Sequence, residues 1–314
     1  MSVLSLDQNP DSALWAGGAV ALGFFDGCHR GHQRILQLCR EKGGGRSAVL
    51  TFSEHPGAAI PGRQPPALLT TSAERVALLE AHGMQVFLKT FDRDFSTWTP
   101  ERFAEEVLAR RLGVSQVVVG HDYRFGHRAA GSVERLTELG QSLGYQTTVV
   151  PAVTLDHQGP LIISSTKIRQ AVAEGDLELA AELLGRPYAM TARVVEGQKR
   201  GRTIDFPTAN LRFPAEKLAP PLGVMAVRAT TESGACYAGV ANFGLRPTVE
   251  DGASEPLLEV HLFDFAGDLY GQTLKVEMVS FLRAERKFDS FPALRQQILA
   301  DAEQARALLL RTPD

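Results

Sequence analysis

The sequence predicts an α/β half built on a parallel sheet, followed by an all-β half that closes with one helix. Three observations carry this. Over residues 17–150, short apolar runs alternate with helical patterns, the mark of βαβ units whose sheet is covered on both faces. Beyond residue 187, short β-rich runs follow one another, separated by Gly, Pro and Asp, as in an antiparallel sandwich or barrel. The length of 314 residues fits two domains of ordinary size.

Taken in order, the apolar runs Ala19 to Phe25, Ser47 to Phe52, Gln85 to Leu88, Gln116 to Val119 and Gln146 to Val150 read as buried strands. Helical periodicity fills the gaps: His32 to Glu41, Ala73 to His82, Pro100 to Leu112 and Val133 to Leu143. Three of these helices carry start signals. Thr71-Ser72 precedes Glu74, Thr99 precedes Pro100-Glu101, and Ser132 precedes Glu134. Residues 164–184 read as two helices split at Gly175, and Gly185-Arg186-Pro187 stops them. The expected domains are therefore 1–185 and 186–314. In the second, strands are expected at Met190 to Val195, Val224 to Thr230, Cys236 to Asn242, Leu257 to Phe263 and Thr273 to Phe281. A terminal helix from Phe291 to Leu310 places Leu294, Ile298, Ala302, Ala305 and Leu309 on one face.

Lysine plus arginine is 33 and aspartate plus glutamate 36, a net charge of −3 that argues against a protein whose main business is coating nucleic acid, while leaving room for a local basic patch. The three cysteines, Cys28, Cys39 and Cys236, have no C-x-x-C spacing, which excludes a disulfide framework and fits a reducing compartment. No run approaches the ~20 apolar residues of a membrane helix, and the first ten residues lack the charge and apolar pattern of a signal peptide. The expectation is a soluble cytoplasmic protein without nucleic-acid or membrane partners.

Ligands of a parallel sheet bind beyond the carboxyl ends of its strands, so the loops there hold the candidate chemistry. Gly23-Phe24-Phe25-Asp26-Gly27-Cys28-His29-Arg30-Gly31-His32 spans the first strand-to-helix turn. Two imidazoles, a glycine that admits a phosphate, and a helix start together suit the α-phosphate of a nucleotide. A turn with two solvated histidines, or a metal site of both histidines and Asp26, are the other readings. Ile163-Ser164-Ser165-Thr166-Lys167-Ile168-Arg169 opens a helix with hydroxyls and cations, which is a triphosphate seat or an ordinary N-cap. Thr51 to Pro56 and Gly120 to Gly126 add polar and aromatic groups at the same edge. In the second half, the basic stretch Gly197 to Arg202 leads to Phe206-Pro207-Thr208-Ala209-Asn210, oxygen donors suited to Mg²⁺–nucleotide or a plain hairpin loop. Glu259 and His261 share one strand face, where a carboxylate serves as general base or is merely solvated. No P-loop, GxSxG or HExxH motif is present.

Together these segments resemble the bifunctional bacterial riboflavin kinase/FAD synthetase family. The markers are GFFDGCHRGHQ (23–33), TFSEHP (51–56), LTTSAER (69–75), VVVGHDYRFG (117–126), ISSTKIRQ (163–170), LLGRPY (183–188), GRTIDFPTANL (201–211), GVANFGLRPT (239–248), LLEVHLFDF (257–265), GDLYG (267–271) and FLRAERKF (281–288). The resemblance implies a Rossmann-like nucleotidyltransferase domain of the HxGH type and a six-stranded riboflavin-kinase barrel. The first would adenylylate FMN to FAD with release of pyrophosphate, and the second would phosphorylate riboflavin to FMN. It assigns nucleotide contacts to His29, His32, Asp122, Ser165, Thr166, Arg169, Gly201, Arg202, Thr208 and Asn210. Flavin contacts fall to Phe25, Asp26, His55 and Arg283, Mg²⁺ to Thr208 and Asn210, and catalysis to Glu259, His29 and His32. The implied ligands are riboflavin, FMN, ATP and Mg²⁺, acting on a monomer or weak homo-oligomer. The chain departs from the family pattern at Phe24, Glu54, His127-Arg128-Ala129 and Asp205. The departures at Asp205 and Ala129 frame one alternative, retention of one activity only; a non-catalytic flavin-binding regulator is a second, of a different class.

Overall fold

A computed structural model describes residues 3–8, 16–60, 62, 64–196, 206–247 and 254–311. The chain divides into two compact units, Met1–Ser165 and Thr166–Asp314.

In the first unit, β1 (Leu4–Ser5), β2 (Ala19–Leu22), β3 (Ser47–Phe52), β4 (Gln85–Lys89), β5 (Gln116–Gly120) and β6 (Gln146–Val150) form one sheet in the order β1-β4-β3-β2-β5-β6. Every pairing is parallel. The chain runs from β2 outward through β3 to β4, then returns to the other side of β2 for β5 and β6. Strand order therefore reverses between β2 and β5, and that point is where such sheets open a ligand crevice.

Side chains on successive strand residues leave opposite faces, so β2 feeds two cores. Val20 and Leu22 join Leu50, Phe87, Val117 and Val119 in one apolar layer. Ala19 and Ala21 join Val49, Val86 and Val118 in the other. Burial on both sides explains why these strands read as continuous apolar runs.

The helices α1 (Arg30–Lys42) and α2 (Ser72–Ala81) cover the second layer through Ile35, Leu36, Cys39 and Leu79. Thr71 and Glu74 form a reciprocal capping box at the start of α2. The expected helix Pro100 to Leu112 is α-helical only as α3 (Pro100–Phe103), and continues over Ala104–Arg111 with wider i→i+5 bonds. Leu112 N–H reaches Val107 O at 3.0 Å. Periodicity alone does not separate 3.6 residues per turn from this wider winding, because the same apolar positions still point inward. Next comes α4 (Val133–Leu143), which stops at Gly144 in the left-handed region (φ 87°). The edge strand β1 and a hairpin of β7 (Thr154–Asp156) and β8 (Pro160–Ile162) are additions to the expected elements. Both involve two- or three-residue strands, too short for an alternation signal.

The helices α5 (Ser165–Glu174) and α6 (Leu177–Leu184) precede the β-rich half. The sequence places the domain boundary after the helix stop at Gly185. α6 packs against strands of the barrel that follows, with Leu183 and Leu184 buried. Six antiparallel strands then close into a barrel: β9 (Tyr188–Val195), β10 (Ala209–Arg212), β11 (Gly223–Thr230), β12 (Cys236–Pro247), β13 (Ser254–Leu262) and β14 (Thr273–Ala284). Their order is β10-β13-β12-β11-β14-β9, and β9 pairs with β10 to complete the ring. A barrel, not a sandwich, is thus the outcome. Its strand β10 is the one the sequence leaves out, being four residues long after a proline.

The last helix, α7 (Phe291–Arg311), packs on the outer face over β11, β12 and β14. Ala302, Ala305 and Leu309 join Val224, Ala226, Val240, Phe263 and Val279, while Leu294 and Ile298 are half-buried. An ion pair ties it down: Arg283 Nε and Nη2 fork onto buried Asp301 at 2.7–3.1 Å. The three cysteines are free thiols, and burial pushes Cys39 up to about 12.

Candidate functional sites

At the switch point, β2 ends at Leu22 and the chain turns tightly. Phe25 (φ 58°) and Cys28 (φ 41°) both adopt the left-handed region, a costly conformation for residues with side chains. The turn is held by Asp26. Its buried carboxylate accepts from Leu69 N–H, Thr70 N–H and Thr70 Oγ1, each at 3.0 Å. Hydrogen bonds to a charged group contribute about 1.5–3 kcal/mol each, enough to offset the strain. Phe25 is 1% exposed and packs in the apolar layer beneath. Of the residues expected to touch flavin, Phe25 and Asp26 thus face the framework.

The strained turn delivers two imidazoles together. His29 is the N-cap of α1, where its Nδ1 accepts from His32 N–H at 3.3 Å. The His29 and His32 rings stack at 3.6 Å with 17° between their planes, and Phe25 meets His32 edge-on at 5.2 Å. Gly31 makes room: a Cβ there would stand 3.1 Å from the His29 ring. The two imidazoles and the start of α1 are thus brought together at the carboxyl edge of the sheet, the kind of place that suits a phosphate. Ser165 joins them, since its Oγ donates to Asp26 O at 3.0 Å. Thr166 is exposed and Arg169 half-buried on α5.

Two further loops rim this edge. His55 caps the short turn Pro56–Ala59 by accepting from Gly57 N–H at 2.9 Å, and Phe24 meets its ring edge-on at 5.0 Å. Asp122 is exposed after β5. One residue here escaped the sequence reading. Arg75, in the first turn of α2, is 0% exposed, lies 4.2 Å over the Phe24 ring and donates from Nη2 to Phe52 O and Ser53 O. Its only sequence signal is a cation where the α2 pattern calls for an inward face.

On the barrel, register builds the second constellation. Asn210 on β10 sits opposite Glu259 on β13, and Glu259 opposite Asn242 on β12. The same cross-strand row continues through Val224 to Arg283. Directly opposed residues share a sheet face, so two amides flank one carboxylate. Thr208 precedes this row by two residues on the incoming segment. Asn210 is 4% exposed; its Nδ2 donates to Thr208 O at 3.4 Å, but its buried Oδ1 has no hydrogen-bond partner among the described residues. Gly201 and Arg202, with the rest of the basic stretch, lie outside the described residues. Arg283 spends its fork on Asp301 and its Nη1 on Ala284 O. Asn242 was not singled out from sequence, because only the barrel register aligns it with Glu259.

His261, one face-position along from Glu259, fixes the incoming segment. Its ring stacks on Phe206 at 3.6 Å, and its Nδ1 lies 2.8 Å from Pro207 O, so Nδ1 carries the proton. Burial lowers the His261 pKa below its ordinary 6.5, with Arg306 adding to the effect and the Pro207 carbonyl opposing it. A depressed histidine binds its proton more readily in the unfolded chain, so folded stability is lost as pH falls through 6.5. Thermal unfolding of the barrel is expected to shift to lower temperature between pH 7 and pH 5, and His261→Gln is expected to flatten part of that slope. An unchanged slope would remove His261 from the account.

The fold and these two sites define a two-part transferase class: a nucleotide-binding parallel sheet of the HxGH type joined to a closed barrel bearing a carboxylate site. Residues 11–167 match the FAD synthetase family and residues 184–309 the riboflavin kinase family. The chain is 40% identical over 295 residues to the bifunctional riboflavin kinase/FMN adenylyltransferase of Haemophilus influenzae, covering 93% of this chain and 94% of that one. It is 37% identical over 298 residues to the enzyme of the same name from Bacillus subtilis, covering 92% of each. A Streptococcus pneumoniae crystal structure named as a macrolide-efflux protein superposes with a TM-score of 0.84 at 31% identity, covering 98% of this chain and 99% of that one. The efflux name is that protein's; among the described residues here, no helix is long and apolar enough to cross a membrane. The chain belongs to the bifunctional riboflavin kinase/FMN adenylyltransferase family, and it is a transferase with both activities.

Proposed function

We propose that the two reactions use the two constellations separately, with residues 1–185 serving FMN adenylylation and 186–314 riboflavin phosphorylation. In the first, a phosphate oxygen of FMN attacks the α-phosphorus of ATP. The bond from that phosphorus to the bridging oxygen breaks, and pyrophosphate leaves. FMN phosphate is already anionic, so no base is needed; the work is positioning and charge stabilisation. His29, His32 and the α1 N-terminus donate to the α-phosphate, while Ser165, Thr166, Arg169 and Asp122 hold the remainder of the nucleotide. His55 and Phe24 face the flavin, whereas Phe25 and Asp26 act by shaping the turn.

In the second reaction, the ribityl 5′-hydroxyl attacks the γ-phosphorus of ATP, its proton passes to Glu259, and ADP leaves. Thr208 and Asn210 fit Mg²⁺: both offer oxygen, and the buried Asn210 Oδ1 has no partner among the described residues. When bound, the cation neutralises charge on the ATP phosphates. Arg283 anchors α7 behind the flavin side through Asp301. We place both reactions in the cytoplasm, on a monomer or weak homo-oligomer.

The observation that carries this reading is the row Asn210–Glu259–Asn242 with its orphaned amide oxygen. Asn210→Ala is expected to raise the Mg²⁺ concentration for half-maximal riboflavin phosphorylation about tenfold, while leaving the Mg²⁺ dependence of FMN adenylylation unchanged. Equal shifts in both reactions, or none, would contradict the assignment.

A further inference from the structure

Arg75 is the most deeply buried cation among the described residues, and the roles above leave it unused. It sits wholly out of solvent, with Nη2 on the carbonyls of Phe52 (2.6 Å) and Ser53 (3.3 Å). Its Nε and Nη1 are buried without a hydrogen-bond acceptor among the described residues. Burial pulls its pKa down to about 10, with Asp26 opposing, so it stays charged at neutral pH. A buried cation with unpaired donors does not serve stability; an apolar side chain of similar length would serve better. So costly a placement points to a role beyond packing.

The geometry supplies one. The guanidinium covers one face of Phe24, at 4.2 Å, and the Phe24 ring in turn supports His55 at 5.0 Å. The carbonyls it grips are those of the two residues just before Glu54 and His55. A single planar fork thus fixes both the ring and the backbone that set the β2–β3 edge, which a flexible ammonium would not do.

We propose that Arg75 is a positioning residue for FMN: it aligns Phe24 and His55 as one wall of the flavin side of the adenylyl-transfer site. The inference rests on the reading that FMN lies at the β2–β3 edge. On that reading FMN lies against Phe24 and His55 and ATP against α1, so an effect of Arg75 made through Phe24 and His55 falls on FMN.

The test is steady-state FMN adenylylation by full-length Arg75→Met and Arg75→Lys, with riboflavin phosphorylation by the same chains as control. Arg75→Met is expected to raise KM for FMN about tenfold, with KM for ATP and the kinase rate within about twofold of wild type. Arg75→Lys keeps the charge but not the fork, and is expected to restore about half of that loss on a logarithmic scale. An unchanged KM for FMN in a folded Arg75→Met chain overturns the proposal, as does a parallel rise in both KM values. If Arg75→Met melts the first unit, the lysine variant decides: a KM for FMN equal to wild type overturns the proposal, and a selective rise supports it. His29→Asn in parallel separates this from the site reading. Should His29→Asn leave adenylylation intact, the site itself is misplaced; should only Arg75 prove silent, the positioning role alone fails.

Discussion

Replacing His29 by alanine lowers FMN adenylylation about 10²–10³-fold and leaves riboflavin phosphorylation at the wild-type rate, by the magnitude found when one preorganised donor is lost from a transition state. The stacked geometry explains the size. The two rings lie 3.6 Å apart and nearly parallel, so neither is free to swing in and cover for the other. His29 has a second duty as N-cap, and losing a cap costs about 0.5–2 kcal/mol of helix stability. His29→Asn isolates the chemistry, because asparagine caps well but offers no imidazole. Both variants should lose similar activity, the asparagine chain with the smaller change in melting temperature. Adenylylation within a fewfold of wild type in either would remove the imidazole from the mechanism.

The mirror-image result is expected for Glu259→Gln. Removal of a positioned base lowers a rate by about 10²–10⁴, and glutamine preserves shape and register while withholding the acceptor charge. Riboflavin phosphorylation should fall by that factor, with FMN adenylylation unchanged. Glu259 occupies the centre of the Asn210–Glu259–Asn242 row, so the substitution leaves three amides side by side and no proton acceptor. Initial rates of FMN formation from riboflavin measure the first effect, and FAD formation from supplied FMN the second. Loss of both activities would indicate a folding defect in place of lost chemistry.

The parallel half was legible because burial on both sheet faces writes itself as apolar runs, and because caps such as Thr71–Glu74 mark helix starts chemically. His29 and His32 were legible for the same reason, lying three residues apart in one local turn. What escaped depends on distant partners. The choice of barrel over sandwich rests on β9 meeting β10, a pairing that strand patterns do not encode. Asn242 acquires meaning only from cross-strand register, and Arg75 only when α2 folds its first turn under Phe24. Phe25 and Asp26 show the converse. The family resemblance assigns both to flavin, and only the folded turn shows that one packs in the core and the other is tied to Leu69 and Thr70.

The central claim is that one chain carries two reactions at two separate sites. Chromatography of flavin products from riboflavin, Mg²⁺ and ATP with the His29→Asn chain tests it most directly. FMN should accumulate at the wild-type rate with FAD nearly absent, and adding the Glu259→Gln chain should convert that FMN to FAD. FAD formed by the His29→Asn chain alone, or no FMN at all, would contradict the account.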